Sequence, residues 1–382
     1  MRTRLALAAA MVAIPAFAEM LALEESGTCD LTAEMGYRAF SGARKLEIGN
    51  YDVKVTFGGD SASTNWVKFA GRRLLFDNVV TRPGERRVEE ATVRVPGPYV
   101  TAKSRANDNR ELKVEVFTTS PNPPQVEFAP SHDSPTLYLM GDSTTTDQRF
   151  EPWGSWGQIA PAFFRKGLAV SNFARSGLAM CTAESEGRVE RLLEHLRAGD
   201  FVLIQFGHND QKRKGEEPEN GYARRLGEWT GLIEAKGAKV VVATPIERRR
   251  FKGGVQQPRT LADYSSAARA FASSRNLPLV DMNEKSYAMM GAAGEEGSTR
   301  FQCWYAEGEY PGADRTINDN THHSVYGAYE MARIEAAEIF RLVPELGEFV
   351  RENRRSFDPL SPDPDPGIPP SNAFNSKKPA GN

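Results

Sequence analysis

Residues 138–148 read YLMGDSTTTDQ, and this stretch decides the fold. The run TLYLM before it is apolar at successive positions, the pattern of a strand buried on both faces, and it stops on Gly141-Asp142-Ser143. Asp and Ser favour turns, so Ser143 alone reads as a turn residue. In open α/β sheets, however, ligands gather outside the carboxyl ends of the strands. A serine held there is placed for chemistry if the neighbouring strand ends supply the rest of a site.

Working outward, strand and helix patterns alternate. SWGQIAPAFFRKG is helical and stops at Gly167, and LAVSNFA is a strand. Val189, Leu192, Leu193 and Leu196 mark an amphipathic helix, and DFVLIQF is a strand. The segments YARRLGEWTGLIEAKG (helix), KVVVATP (strand), a helix over about 261–275 and LPLVDM (strand) continue the alternation. A last helix is expected from an N-cap at Ser324 to about Arg341. Apolar strands alternating with helices imply a parallel sheet covered on both faces.

The strand ends carry Gly141-Asp142-Ser143, Ser176-Gly177 and Gly207-His208-Asn209-Asp210, and Asp319, His322 and His323 precede the last helix. Acyl transfer needs a nucleophile, a base within hydrogen-bond reach, an acid to orient the base, and donors for the oxyanion. Ser143 fits the nucleophile. The base is a histidine placed three residues after an acid. The backbone N–H groups of Ser143 and Gly177 and the Asn209 amide fit the oxyanion donors. His322 and His323 with Asp319 also have ligand chemistry, but a metal site wants three or four ligands and no second cluster is evident.

At Ser143, Gly177, Asn209 and His322 the sequence resembles the SGNH (GDSL-like) hydrolases. More narrowly it is similar to the rhamnogalacturonan acetylesterase group of carbohydrate esterases, through GDSTTTDQ, GSWGQ, EGR at 186–188, GDFVLIQFGHND and DNTHHSVYGAYEMA. The resemblance covers about 136–342. It implies a flavodoxin-like α/β/α hydrolase domain over 136–345, preceded by a small β-sandwich. It implies a serine esterase that removes O-acetyl groups from a plant cell-wall polysaccharide, rhamnogalacturonan or pectin first, through an acetyl-enzyme and without metal or organic cofactor. The family's Asp-x-x-His pattern falls on Asp319 and His322, which makes His322 rather than His323 the base. Where the family continues SGRS, this chain has Ser176-Gly177-Leu178-Ala179. Trp153, Trp156 and Trp304 either stack on sugar rings or anchor the core, and His208 is a further candidate at the substrate site. The competing readings are a general esterase or lipase, a xylan acetylesterase, and an inactive carbohydrate-binding protein.

The remaining chain frames this domain. Arg2 and Arg4, an apolar run and Ala16-Phe17-Ala18 describe a signal peptide over 1–18, hence a periplasmic or secreted protein. Residues 19–46 show no clear period. Alternation in YDVKVTF, ATVRV and ELKVEVF predicts a small β-domain over 47–118. Five prolines between Pro121 and Pro135 suggest a linker at 119–135, and the proline-rich stretch 357–382 suggests a disordered tail. A formal net charge of −2 gives no basic field for nucleic acid, and no later segment reads as a membrane helix. The sequence does not fix a pairing for Cys29, Cys181 and Cys303; a bridge between Cys181 and Cys303, which flank the expected site, is the expectation carried forward.

Overall fold

The computed structural model describes residues 19–28, 30–95, 110–310, 312–371 and 378–379. The expected signal peptide, Cys29 and the turn at 96–98 lie outside the described residues. A five-stranded parallel sheet forms the centre. In chain order its strands are Thr136–Gly141, Ala169–Asn172, Phe201–Gln205, Lys239–Ala243 and Leu279–Val280, and in space they run 2-1-3-4-5. That is the flavodoxin-like order, whose switch point falls beside the first strand.

The continuous apolar runs have a direct cause. Leu137, Leu139, Leu203, Val241 and Ala243 enter one core, which helix Val325–Leu342 covers. Their neighbours Tyr138, Met140, Val202, Ile204, Val240 and Val242 enter a second core. Helices Arg188–His195, Ala223–Glu234 and Ala262–Ser274 cover that face. Ser324 caps the last helix, its Oγ accepting from the Gly327 N–H at 3.0 Å.

The N-terminal unit is larger than 47–118. One antiparallel sheet joins Glu19–Leu21, Gln125–Pro130, Gly49–Phe57 and Arg87–Val95. A second joins Glu24–Ser26, Arg38–Lys45, Glu111–Thr118, Ser63–Phe69 and Arg73–Thr81. Val53, Val55, Phe57, Val67, Phe69, Val114 and Val126 build one core between them. Two expectations are corrected here. Residues 19–46 supply strands, and the supposed linker contains Gln125–Pro130, which pairs on both sides. Its prolines crowd the ends of that strand, where a missing N–H costs no ladder bond, so composition hid a strand whose Val126 and Phe128 are buried. On its other face the second sheet places Ala39, Trp66, Leu74 and Phe117 in the first core of the hydrolase domain.

The described part of the tail, to residue 371, is also not disordered. Lys68 Nζ donates to the Pro369 carbonyl at 2.5 Å, Thr32 Oγ1 to the Pro370 carbonyl at 2.9 Å, and Arg333 Nε to Asp363 Oδ2 at 2.7 Å. Proline fixes φ in advance, so docking this segment loses little chain entropy, and its carbonyls satisfy buried donors. Among the described residues no helix is long and apolar enough to cross a membrane.

Gly157 shows how tightly the carboxyl edge of the sheet is packed: a Cβ there would lie 2.2 Å from the Thr145 carbonyl oxygen and 2.8 Å from Asn172 Nδ2. Gly157→Ala is expected to cost about 1–3 kcal/mol of stability through overpacking. Urea unfolding of the two proteins measures it.

Candidate active site

Ser143 follows the first strand in a turn that Asp142 builds. Asp142 Oδ1 accepts from the Thr144 N–H at 3.0 Å and Thr144 Oγ1 at 2.9 Å, and its carbonyl accepts from Thr145 and Thr146 at 3.2 and 3.0 Å. His322 lies near the end of strand Ile317–His323, which pairs with Gln302–Tyr305 and leads into the capped helix. The two segments meet. His322 Nε2 stands 2.9 Å from Ser143 Oγ, and His322 Nδ1 stands 2.8 Å from Asp319 Oδ2. Ser143, His322 and Asp319 are each no more than 2% exposed. The Trp153 and His322 rings meet in a T-shaped arrangement, 5.9 Å between centroids.

Burial alone would raise the Asp319 carboxyl. The His322 hydrogen bond and charge, with N–H donors from His322 and Thr321, reverse this and bring it down to about 2. Asp319 therefore stays ionised beside the imidazole. Lys378 adds a contact that no sequence pattern signals: its Nζ lies 3.4 Å from Asp319 Oδ2. His323 is buried, and neither ring nitrogen has a hydrogen-bond partner among the described residues. Burial and the adjacent His322 lower it to about 3, so it stays neutral.

Gly177 takes φ of 84°, a left-handed conformation suited to glycine. Asn209 Nδ2 donates to the Leu178 carbonyl at 2.9 Å, and Asp210 Oδ1 accepts from the Met180 N–H at 2.8 Å. These bonds stitch the turn after the third strand to the turn after the second. An amide carries two N–H donors, so Asn209 retains a second one. Leu178 and Ala179, which replace the family's Arg and Ser, are fully buried; Leu178 joins the second core. The departure therefore exchanges polar groups for packing while the Leu178 backbone still holds Asn209. Burial, aided by Asp142, raises Asp210 to about 7 against its Met180 hydrogen bond.

Other expected site residues are placed differently. Trp156 is 1% exposed and its Nε1 donates to Gln205 Oε1 at 2.7 Å. It is a core anchor and offers no face to a sugar. His208 is also buried, and burial followed by the charge of Arg248 holds it well below its ordinary range. Trp304 is half-buried on the histidine hairpin, with the Arg249 guanidinium 4.6 Å over its ring and its Nε1 donating to Asn320 Oδ1 at 3.1 Å. Cys181 and Cys303 are free thiols, which overturns the expected bridge. Cys303 is buried and its Sγ donates to the His323 carbonyl at 3.0 Å. Among the described residues no group of three or more His, Cys, Asp or Glu could hold a metal.

A nucleophile, a base and an orienting acid in hydrogen-bonded series at the switch point are the constellation of a serine hydrolase. The sequence model of the GDSL-like lipase/acylhydrolase family matches residues 139–307, and the chain belongs to this family and is a carboxylic ester hydrolase. Within it, the chain is 36% identical over 208 residues to rhamnogalacturonan acetylesterase RhgT of Bacillus subtilis (strain 168), covering 54% of this chain and 90% of that protein. It is 32% identical over 228 residues to the probable rhamnogalacturonan acetylesterase YesY of the same organism, covering 57% and 98%. The rhamnogalacturonan acetylesterase of Emericella nidulans is 26% identical over 232 residues, covering 54% and 85%.

The acidity of Asp319 has a consequence for stability. Its folded carboxyl is more acidic than an unfolded one, so its contribution is complete above about pH 4 and disappears as pH falls toward 2. On the order of 2 kcal/mol is at stake by linkage. Asp319→Asn should be less stable than the parent at pH 6, with the gap closing between about pH 4 and 2, as chemical denaturation at each pH will measure.

Proposed function

We propose that the protein is an exported carbohydrate acetylesterase that removes acetyl groups from an acetylated pectin, with rhamnogalacturonan as the leading substrate. The observation that carries this reading is the buried series Ser143, His322, Asp319 at 2.9 and 2.8 Å. The names of the relatives supply the substrate class. The leader at 1–18 supports export, and we read the two N-terminal sheets as a β-sandwich module.

In this mechanism Ser143 Oγ attacks the acetyl carbonyl and passes its proton to His322 Nε2. Asp319 holds the Nδ1–H and stabilises the imidazolium. The Ser143 and Gly177 N–H groups donate to no acceptor among the described residues, which leaves them open to the oxyanion together with the second Asn209 N–H. The tetrahedral intermediate collapses, His322 returns the proton to the departing sugar alkoxide, and acetyl-Ser143 is then hydrolysed by water activated by the same imidazole. Arg248, half-buried on the loop after the fourth strand, and Lys212, after Asn209, are within electrostatic reach of Asp142. Their charge favours an anionic glycan.

Acetate release from acetylated pectins, xylans and mannans tests the substrate, with pectins expected to lead. A preference for long-chain aryl esters would turn the reading toward a lipase. Ser143→Ala should lose several orders of magnitude in kcat while folding normally.

Asn209→Ala should lower kcat by roughly 10²–10³ with little change in KM, the loss of one oxyanion donor. A change confined to KM would reassign Asn209 to substrate binding.

A further inference from the structure

The hairpin between strands Ser63–Phe69 and Arg73–Thr81 turns at residues 70–72 and reaches from the N-terminal unit onto the loop that carries Ser143. Arg72 spreads its guanidinium over three points of that loop. Nη1 donates to the Gln148 carbonyl at 2.9 Å and to the Trp153 carbonyl at 3.0 Å. Nε and Nη2 grip Glu151 at 3.1 and 2.5 Å. The side chains of Arg72 and Glu151 are 7% and 2% exposed. Next to it, Arg73 Nε and Nη2 both donate to Asp147 Oδ2, at 2.8 and 2.6 Å.

The grip closes into a ring. The Arg72 carbonyl accepts from Gln158 Nε2 at 3.0 Å, and Gln158 Oε1 accepts from the Gln148 N–H at 3.2 Å. From this ring Gln148 Nε2 donates to the Ser143 carbonyl at 2.7 Å. Trp153, whose carbonyl Arg72 holds, packs its ring in a T-shape against the His322 ring. Thus one buried guanidinium from the N-terminal unit is a single hydrogen bond from the residue supporting Ser143 and from the residue packed on His322.

We propose that Arg72, supported by Arg73, is a positioning residue of the esterase, and that the N-terminal unit completes the site by fixing the pose of Ser143 and His322. This rests on Ser143 being the nucleophile. The physical ground is the shape of the arginine fork. A lysine could keep the charge opposite Glu151, but as a point charge it could not also span the Gln148 and Trp153 carbonyls. An arginine that served stability alone, through its ion pair, would be replaceable by lysine. One that sets geometry would not, since a misplacement near 1 Å can cost about 10²-fold in rate.

The test is Arg72→Lys in the full chain, assayed on an aryl acetate alongside Ser143→Ala. Arg72→Lys is expected to lower kcat on the order of 10–100-fold, to leave KM within about threefold, and to slow labelling of Ser143 by an organophosphonate in parallel. Turnover within about twofold of the parent, or a loss confined to KM, overturns the proposal. If Arg72→Lys does not fold, Gln148→Met cuts the same line nearer Ser143 while leaving the ion pair intact. It should show the same kcat loss, and parental turnover there overturns the proposal too. An active Ser143→Ala protein would instead remove the functional reading itself, whatever Arg72 does.

Discussion

The edge of the sheet that carries Ser143 depends on one buried amide, that of Gln205, the last residue of the third strand. Its Oε1 accepts from Thr145 Oγ1 at 2.9 Å and from Trp156 Nε1 at 2.7 Å, and its Nε2 donates to the Thr244 carbonyl at 3.0 Å. Three turns that leave different strands are thereby held to one another. Thr244 extends the network, its Oγ1 donating to Asp281 Oδ1 at 3.0 Å and accepting from the Asn283 N–H at 2.8 Å. A buried polar network is costly when half satisfied and rigid when complete. Here both polar atoms of the Gln205 amide are bonded, Oε1 twice and Nε2 once, so the ends of strands one, three, four and five form a common frame.

On this frame Ser143 is fixed early in the chain and His322 late, so a second set of bonds must bring them together. The Gly154 N–H donates to the His323 carbonyl at 2.8 Å, which ties the loop that carries Ser143 to the histidine hairpin. Cys303 Sγ donates to the same carbonyl. From the other side the Arg249 N–H donates to the Asn320 carbonyl at 2.9 Å and Arg249 Nη1 to Asn320 Oδ1 at 3.1 Å. The backbone on both sides of His322 is therefore immobilised by hydrogen bonds. That explains why the hairpin needs no disulfide at Cys303.

What was legible in the sequence follows the same division. Strands buried on both faces leave continuous apolar runs, and turn chemistry must be local, so Ser143, Gly177, Asn209 and the Asp319 and His322 offset could all be read along the chain. Contacts between distant side chains leave no period. Nothing near Arg72 in sequence signals Glu151, and nothing in the tail signals Lys378 beside Asp319. For Trp156 the sequence leaves two readings open, because an indole bound to a buried amide has the same letter as one that stacks on a sugar. The strand Gln125–Pro130 was hidden because prolines weigh the same in a composition count whether they flank a strand or interrupt it.

The charges around the site form a related balance. Asp142, Asp210 and Asp319 all lie on the carboxyl edge of the sheet, and three ionised carboxylates would oppose one another and any anionic substrate. Burial sets how readily each of them ionises. It raises Asp142, and with the help of Asp142 it raises Asp210 to about 7, while Asp319 is held near 2 by His322 and backbone donors. Asp319, beside the His322 ring, is thus the most acidic of the three, while the other two carboxyls build turns through Thr144 and Met180. The cations at this edge are tuned in the same way: burial lowers Arg248 against the pull of Glu247 and Asp142, and burial with the Arg248 charge lowers Lys212.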